Sequence, residues 1–272
     1  MFVSHLSLKD FRSYENLELP LKAGQNIFIG ENGEGKTNII EALMYLALLS
    51  SHRISSDQPL IKLGSERTYI RAKIESEERT TLVELEINNG KANRAKLNQN
   101  PARSQKELLG LVKSICFSPE DLDLVRGDPS ERRSFLDQLL IQQSPRLAGV
   151  ISDYERALKQ RNSLLKSRAP ESSLRSWSEH LATFGGELIA GRIKLINQVE
   201  PLFQSAYKNL SAKKLANLGY KSSIPNPTTD KEVNRESILK AVEEVRSQEI
   251  ERGISLVGPQ PRRLQRPLPQ EL

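Results

Sequence analysis

The chain has 272 residues, 37% hydrophobic and 27% charged, enough to build a core and, at ~150 residues per domain, one large or two modest domains. No apolar run approaches the ~20 residues of a membrane span, and the start, MFVSHLSLKDFRSYENL, lacks the basic, apolar and small-residue regions of a secretory signal. The lone cysteine, Cys116, excludes an internal disulfide or a cysteine-cluster metal site and fits a reducing, cytoplasmic setting; the net charge of +6 permits an anionic partner without demanding one.

In chain order, Phe2 to Leu8 partly alternates apolar and polar residues, and Glu15 to Leu19 repeats the pattern after a polar turn. Gln25 to Ile29 is short and nearly continuously apolar, which predicts a strand buried on both faces of a sheet. It runs into Gly30-Glu31-Asn32-Gly33-Glu34-Gly35-Lys36-Thr37, after which Ile39, Ile40, Leu43, Leu46 and Leu49 recur at helical spacing with no Gly or Pro. Thr68 to Glu75 and Thr80 to Asn88 are rich in β-formers, the second alternating at Leu82, Leu85 and Ile87. Asn89-Gly90 accepts the positive φ angles of a tight turn, so Leu82–Asn88 and Ala92–Leu97 are expected to form a hairpin. Lys113 to Phe117 reads as a further apolar strand, closed by Ser118-Pro119.

From Pro129 the pattern turns helical. Glu131 to Gln143 presents Phe135, Leu136, Leu139 and Leu140 on one side, with Ser130 as a candidate cap; Pro145 breaks it. A second helix carries Leu147, Ile151, Tyr154, Leu158 and Leu165, and a turn follows at Ala169-Pro170. Leu174, Leu181, Leu188, Leu195 and Leu202 then recur every seventh residue, with Trp177 and Phe184 in the companion seam, weakened by Gly191 and ended near Pro201. Two such helices make an antiparallel hairpin, either a projecting arm or part of an ordinary helical subdomain. Lys221 to Thr229 reads as a linker, and Glu232 to Glu251 as one charged return helix.

Gly30-x-x-x-x-Gly35-Lys36-Thr37 is a complete phosphate-loop pattern between an apolar segment and a helix. Its glycines let the backbone wrap a phosphate chain, while amide hydrogens and the helix start supply positive potential. Lys36 is placed to reach the β and γ phosphates of ATP and Thr37 to ligate an accompanying Mg²⁺. Turnover also needs an acidic residue on an apolar strand to hold the metal through water. No run of aliphatics ending in Asp-Asp or Asp-Glu follows Gly35, so no catalytic residue is assigned.

Several ordered motifs carry a resemblance. Asp10-Phe11-Arg12-Ser13-Tyr14, the loop Gly30 to Asn38, Ser51-His52-Arg53, Phe117 to Leu122, Gly127-Asp128-Pro129, Arg132 to Asp137 and Gly253 to Pro259 together resemble the RecF family of bacterial recombination mediators, from residue 1 to about 259. The resemblance implies an α/β P-loop NTPase of ABC/SMC-head type with a helical, coiled-coil-like second lobe. It divides the chain into an ATP-binding lobe with a β-rich subdomain at 1–128, a helical lobe at 129–220, a linker and return helix at 221–259, and an aberrant tail at 260–272. It implies ATP and Mg²⁺ as cofactors, ATP-dependent homodimerisation, binding to DNA at single-strand gaps or junctions, and work with RecO and RecR in recombinational repair, with weak ATPase activity. Residues Gly30, Glu31, Asn32, Gly33, Glu34, Gly35, Lys36 and Thr37 correspond to the nucleotide loop, with Arg12 and Ser13 beside it or merely at a strand end. Arg53, Arg132 and Arg133 are candidate DNA contacts, although charged loops and helix starts are also common solvated features; His52 and Arg53 are each open to nucleotide, DNA or solvent. Glu120 and Asp121 suit a capped turn better than a metal site, and His5 and His180 stand in isolation. An unrelated P-loop kinase and a nucleotide-binding remnant without ATPase activity are the alternatives.

After Pro259 the composition breaks: four of the 14 prolines fall between 259 and 272 and no period survives. Pro261-Arg262-Arg263-Leu264, read one base later, can spell Arg-Asp-Asp and a codon beginning with T. The expected reading is a frameshift that displaces the signature motif, the second acidic motif and the switch histidine, so that the chain is expected to bind ATP weakly at most, to fail to close a two-site dimer and to leave apolar surface of the ATP-binding lobe uncovered.

Overall fold

The computed structural model describes residues 1–51, 53–54, 56–77, 79–210 and 216–259, with the Glu120 side chain left aside. His52 and the tail at 260–272 therefore lie outside the described residues, as does everything expected of them. The chain forms two compact units, residues 1–119 with 141–145, and residues 120–140 with 146 onward.

The first unit is built on a six-stranded antiparallel sheet: β1 (Phe2–Phe11), β2 (Tyr14–Pro20), β3 (Arg67–Glu75), β4 (Thr80–Asn88), β5 (Arg94–Leu97) and β6 (Asn100–Pro101), ordered β2-β1-β3-β4-β5-β6. One face turns Leu6, Leu8, Ile70, Ile74, Val83, Leu85 and Ile87 into a core shared with helix α1 (Lys36–Leu48), which buries Ile39, Ala42, Tyr45 and Leu46. The β4 pattern corrects the expectation at one position. Leu82 is 41% exposed, and Val83 takes its place among the inward residues, because period two places Val83, Leu85 and Ile87 on one face. The outer face carries charge, with Glu84 between Arg71 and Lys96. The β4–β5 hairpin forms, but with a longer loop than a two-residue turn: Asn88 N–H donates to Asn93 Oδ1, its side chain donates to the Ala92 carbonyl, and β5 begins at Arg94.

Two expected strands do not form. Gln25–Ile29 and Lys113–Phe117 run without regular pairing among the described residues; Phe28 and Cys116 pack on the core, whereas Ile29 and Phe117 are 92% and 90% exposed. A strand exists only through a ladder of hydrogen bonds to a neighbouring strand, and neither segment joins the sheet among the described residues. Ser114 N–H instead donates to the Gln142 side chain (2.6 Å).

The second unit is helical: α2 (Asp123–Arg126), α3 (Pro129–Gln143, its last turn in the first unit), α4 (Leu147–Lys166), α5 (Glu171–Leu210), α6 (Lys231–Glu244) and α7 (Arg246–Arg252). Leu174, Leu181, Leu188 and Leu195 are buried, and the last three share a cluster with Val150, Tyr154 and Ala157 of α4. Ala182 and Ile189 on the other side of α5 pack on Ile238, Ala241 and Val242 of α6. The hairpin is thus part of a helical layer in which α5 is covered on two sides. Pro201 does not end α5. The helix continues to Leu210, but the seam stops there, with Leu202 71% exposed. The return helix is broken into α6 and α7 at Val245, and Ser130 lies inside the first turn of α3 and does not cap it.

Candidate nucleotide site

The loop expected to bind phosphate stands where the sequence puts it, directly before α1. Gly33 and Gly35 have φ of +92° and +94°, a left-handed backbone that side chains resist. Gly35 is also sterically required: a Cβ there would lie 2.8 Å from Tyr14 Oη and 2.9 Å from Ser13 Oγ. Gly35 is the N-cap of α1, and no side chain caps that helix start, so its amides and its positive dipole end face outward with Lys36 and the exposed Thr37 on the first turn. A glycine-wrapped loop ending on an uncapped helix start fits a polyphosphate, and Thr37 is the residue that would hold Mg²⁺ with it.

Two loop side chains are engaged within the loop. Lys36 Nζ donates to the carbonyls of Gly30 (2.7 Å) and Glu31 (2.5 Å). Glu34 folds its carboxylate back to accept from the Glu31 amide (2.8 Å), which places an anion against the loop's own backbone. Burial and the Glu34 charge push the Tyr14 phenol above its ordinary value.

Arg12 and Ser13, expected beside the nucleotide, do sit beside the loop. Ser13 Oγ accepts from Asn38 Nδ2 (3.0 Å) on the first turn of α1. Arg12, in a left-handed conformation with φ of +53°, is locked into place. Its backbone amide donates to Leu60, Nη1 donates to the Pro59 carbonyl (2.9 Å), and Nε and Nη2 form a fork on Glu41 at 2.9 and 2.6 Å. Arg12, Ser13, Asn38, Pro59, Ile61 and Lys62 line a cleft of roughly 610 Å³, within the size range of small-molecule sites.

Glu41 escaped the sequence reading, since one glutamate in a helix looks solvated. Here it is fully buried and accepts also from Ser51 Oγ (2.5 Å) and Arg53 Nη1 (3.3 Å). Burial alone pushes its carboxyl up; the bonds from Arg12 and Ser51 and the charges of Arg12 and Arg53 outweigh this and hold it below the usual value. Arg53 thereby joins the group around α1.

The other two candidate arginines, Arg132 and Arg133, lie in the second unit. Arg132 Nη1 donates to the carbonyls of Leu124 and Gly127, closing the end of α2. Arg133 lies near Asp137, Tyr154, Tyr220 and Arg192; burial and the Arg192 charge lower its pKa, while Arg192 forks onto Asp137. Glu120 and Asp121 fall in a short 3₁₀ turn, Pro119–Leu122. Among the described residues no cluster of His, Cys, Asp and Glu suits a metal ion, and no helix is long and apolar enough to cross a membrane.

Comparison with known proteins agrees with this geometry. A family described as an AAA domain matches residues 5–252. A DNA replication and repair protein RecF of Streptomyces avermitilis is 50% identical over 272 residues, covering 96% of this chain and 73% of the relative. The chain belongs to the RecF family. A second RecF, from Kineococcus radiotolerans, is 47% identical and covers 95% of this chain and 71% of its own length. Among solved structures, a recombination mediator protein RecF described with ATP in the RecFOR pathway superposes with a TM-score of 0.87 at 25% identity, covering 95% of this chain and 70% of that one. A RecF–ATPrS structure superposes at 0.88 with 24% identity, covering 95% and 71%. The α/β P-loop fold of the RecF structures, with its helical second part, is therefore the fold of this chain, and its family is one of DNA replication and repair.

Proposed function

We propose that this chain binds ATP with Mg²⁺ at Gly30–Thr37 and, through that nucleotide, engages DNA at single-strand gaps or junctions in recombinational repair, in a cytoplasmic setting, together with RecO and RecR; the ATP-dependent homodimer belongs to the intact family. The observation that carries the reading is Gly35, left-handed and closed to any side chain by Ser13 and Tyr14, ending the loop on an uncapped helix start. RecF relatives at 47–50% identity and a related structure described with ATP support the same reading. In this assignment the loop amides and Lys36 hold the phosphates, Thr37 holds the metal, and the cleft beside Arg12 and Ser13 takes the nucleoside. Bound Mg²⁺ would supply charge neutralisation to the phosphates, and the described residues bind and position the nucleotide. Titration of the full chain with a fluorescent ATP analogue tests it. Saturable binding that Lys36→Ala abolishes is expected, because charge-assisted contacts are the strong ones; affinity unchanged in Lys36→Ala contradicts the site.

A further inference from the structure

The cleft beside Arg12 has one wall that the phosphate loop does not build. Gln58, Pro59, Ile61 and Lys62 line it from the segment after α1, and Asn89 adds to it from the β4–β5 loop. Arg12 fastens the middle of this wall: its N–H donates to the Leu60 carbonyl and its Nη1 to the Pro59 carbonyl, with the Leu60 side chain buried in the core. The β4–β5 loop fastens both ends. Asn93 Nδ2 donates to Asp57 Oδ2 (2.8 Å) just before the wall, and the Asn89 amide donates to the Glu66 carbonyl (3.0 Å) just after it. Asn93 is itself held, because its Oδ1 accepts from the Asn88 amide (3.0 Å). Asp57 stands at the N-cap of the short 3₁₀ turn Gln58–Leu60, yet its side chain makes no capping bond there. Its carboxylate is turned to Asn93 and lies near α1, where burial first and then the Asp57 charge push the Tyr45 phenol far up.

We propose that Asn93 is a positioning residue for the nucleoside end of the bound nucleotide: by holding Asp57 it sets the Gln58–Pro59 wall of the cleft, so that the β4–β5 loop governs the binding of ATP and not that of a bare polyphosphate. This rests on the ATP-binding reading, in which the cleft takes the nucleoside, and adds to it a residue far from the loop motif. The division follows from the contacts. The phosphates fall to the Gly30–Thr37 amides and Lys36, and neither Asn93 nor Asp57 bonds to that loop among the described residues. The wall, by contrast, has few ties: Arg12 at its middle and the β4–β5 loop at its ends. A binding wall keeps its geometry only while such supporting hydrogen bonds hold it. With the Asn93–Asp57 bond removed, Gln58 and Pro59, both exposed, lose their anchor on the N-terminal side.

The test titrates the full chain with ATP and with inorganic tripolyphosphate, each with Mg²⁺, by calorimetry, in wild type, Asn93→Ala, Asp57→Ala, Asp57→Asn, the double alanine variant and Lys36→Ala. Asn93→Ala and Asp57→Ala should each weaken ATP about tenfold, the scale of one hydrogen bond to a charged group, and change tripolyphosphate by less than about twofold. The double variant should be no weaker than either single one, because both remove the same bond. Asp57→Asn keeps an oxygen facing Asn93 Nδ2 and should stay within about twofold of wild type for both ligands. ATP affinity unaltered in both alanine variants, with Lys36→Ala still abolishing binding, overturns the proposal and leaves the ATP-binding reading standing. Equal losses for ATP and tripolyphosphate, or no tripolyphosphate binding by the wild type, also overturn it, since either denies the division between loop and cleft. Asp57→Asn as weak as Asp57→Ala overturns it too, because the hydrogen bond is then not the cause. No ATP binding by the wild-type chain overturns both.

Discussion

Gly35 and Gly33 allow the loop geometry to be tested by subtraction. Both are left-handed, at +94° and +92°, so alanine at either position pays a backbone strain of order 1–3 kcal/mol. Only at Gly35 does the new methyl also collide: Ser13 Oγ and Tyr14 Oη would lie at 2.9 and 2.8 Å, whereas at Gly33 nothing lies within 4 Å. Relieving that overlap means moving Ser13 and Tyr14 by roughly half an ångström, off the loop and away from Asn38, at a cost typical of overpacking, ~1–3 kcal/mol. With ~1.4 kcal/mol per tenfold in affinity, Gly33→Ala should weaken ATP about tenfold and Gly35→Ala about a hundredfold or more. Equilibrium titration with a fluorescent ATP analogue reads both, the cost appearing as lost affinity because the ligand-free loop relaxes out of the left-handed geometry that ATP binding must restore. Equal losses in the two variants would show that the Ser13–Tyr14 contact contributes nothing. Wild-type affinity in both would refute the loop geometry itself.

Other consequences can be measured separately. Glu34→Gln removes the carboxylate that accepts from the Glu31 amide and competes with phosphate for the loop, so ATP affinity should rise several-fold; an unchanged or weaker affinity counts against that competition. Gly186→Ala places a methyl 2.6 Å from the Lys231 carbonyl oxygen and 2.8 Å from the Arg235 amide, both backbone, and should cost ~1–3 kcal/mol or more in chemical denaturation, whereas Gly191→Ala, facing only Leu147 and Leu140 at 3.5 Å and beyond, should be tolerated. Arg161→Ala leaves Glu249 buried without the guanidinium that donates to it at 2.6 Å and should cost ~3–5 kcal/mol, while replacing both partners with apolar residues recovers most of the loss; no recovery would contradict the ion-pair account.

What the sequence revealed depended on whether the cause was local. The loop was legible because its glycines, Lys36 and Thr37 are consecutive and each answers a local demand. The β3–β4 pair and α4–α5 were legible from periods of two and of three to four residues. The Gln25–Ile29 and Lys113–Phe117 segments carry strand-like composition, but strand formation is a property of a pair, and neither finds one among the described residues. The seam ends near Pro201, as its period predicts, with Leu202 exposed, while the helix itself carries on through the proline to Leu210. Glu41 was illegible for a different reason: its partners Arg12, Ser51 and Arg53 come from two other segments, and only the fold shows that one carboxylate serves all three.

DNA binding as a function of nucleotide tests the central claim most directly. Gel-shift titration of gapped duplex with the full chain, with and without ATP and Mg²⁺, in wild type and Lys36→Ala, should show retention that requires ATP, is lost in Lys36→Ala, does not depend on base sequence and falls steeply with salt as counterions are released. Retention that ignores ATP and survives Lys36→Ala, or that is sequence-selective and insensitive to salt, would contradict the account.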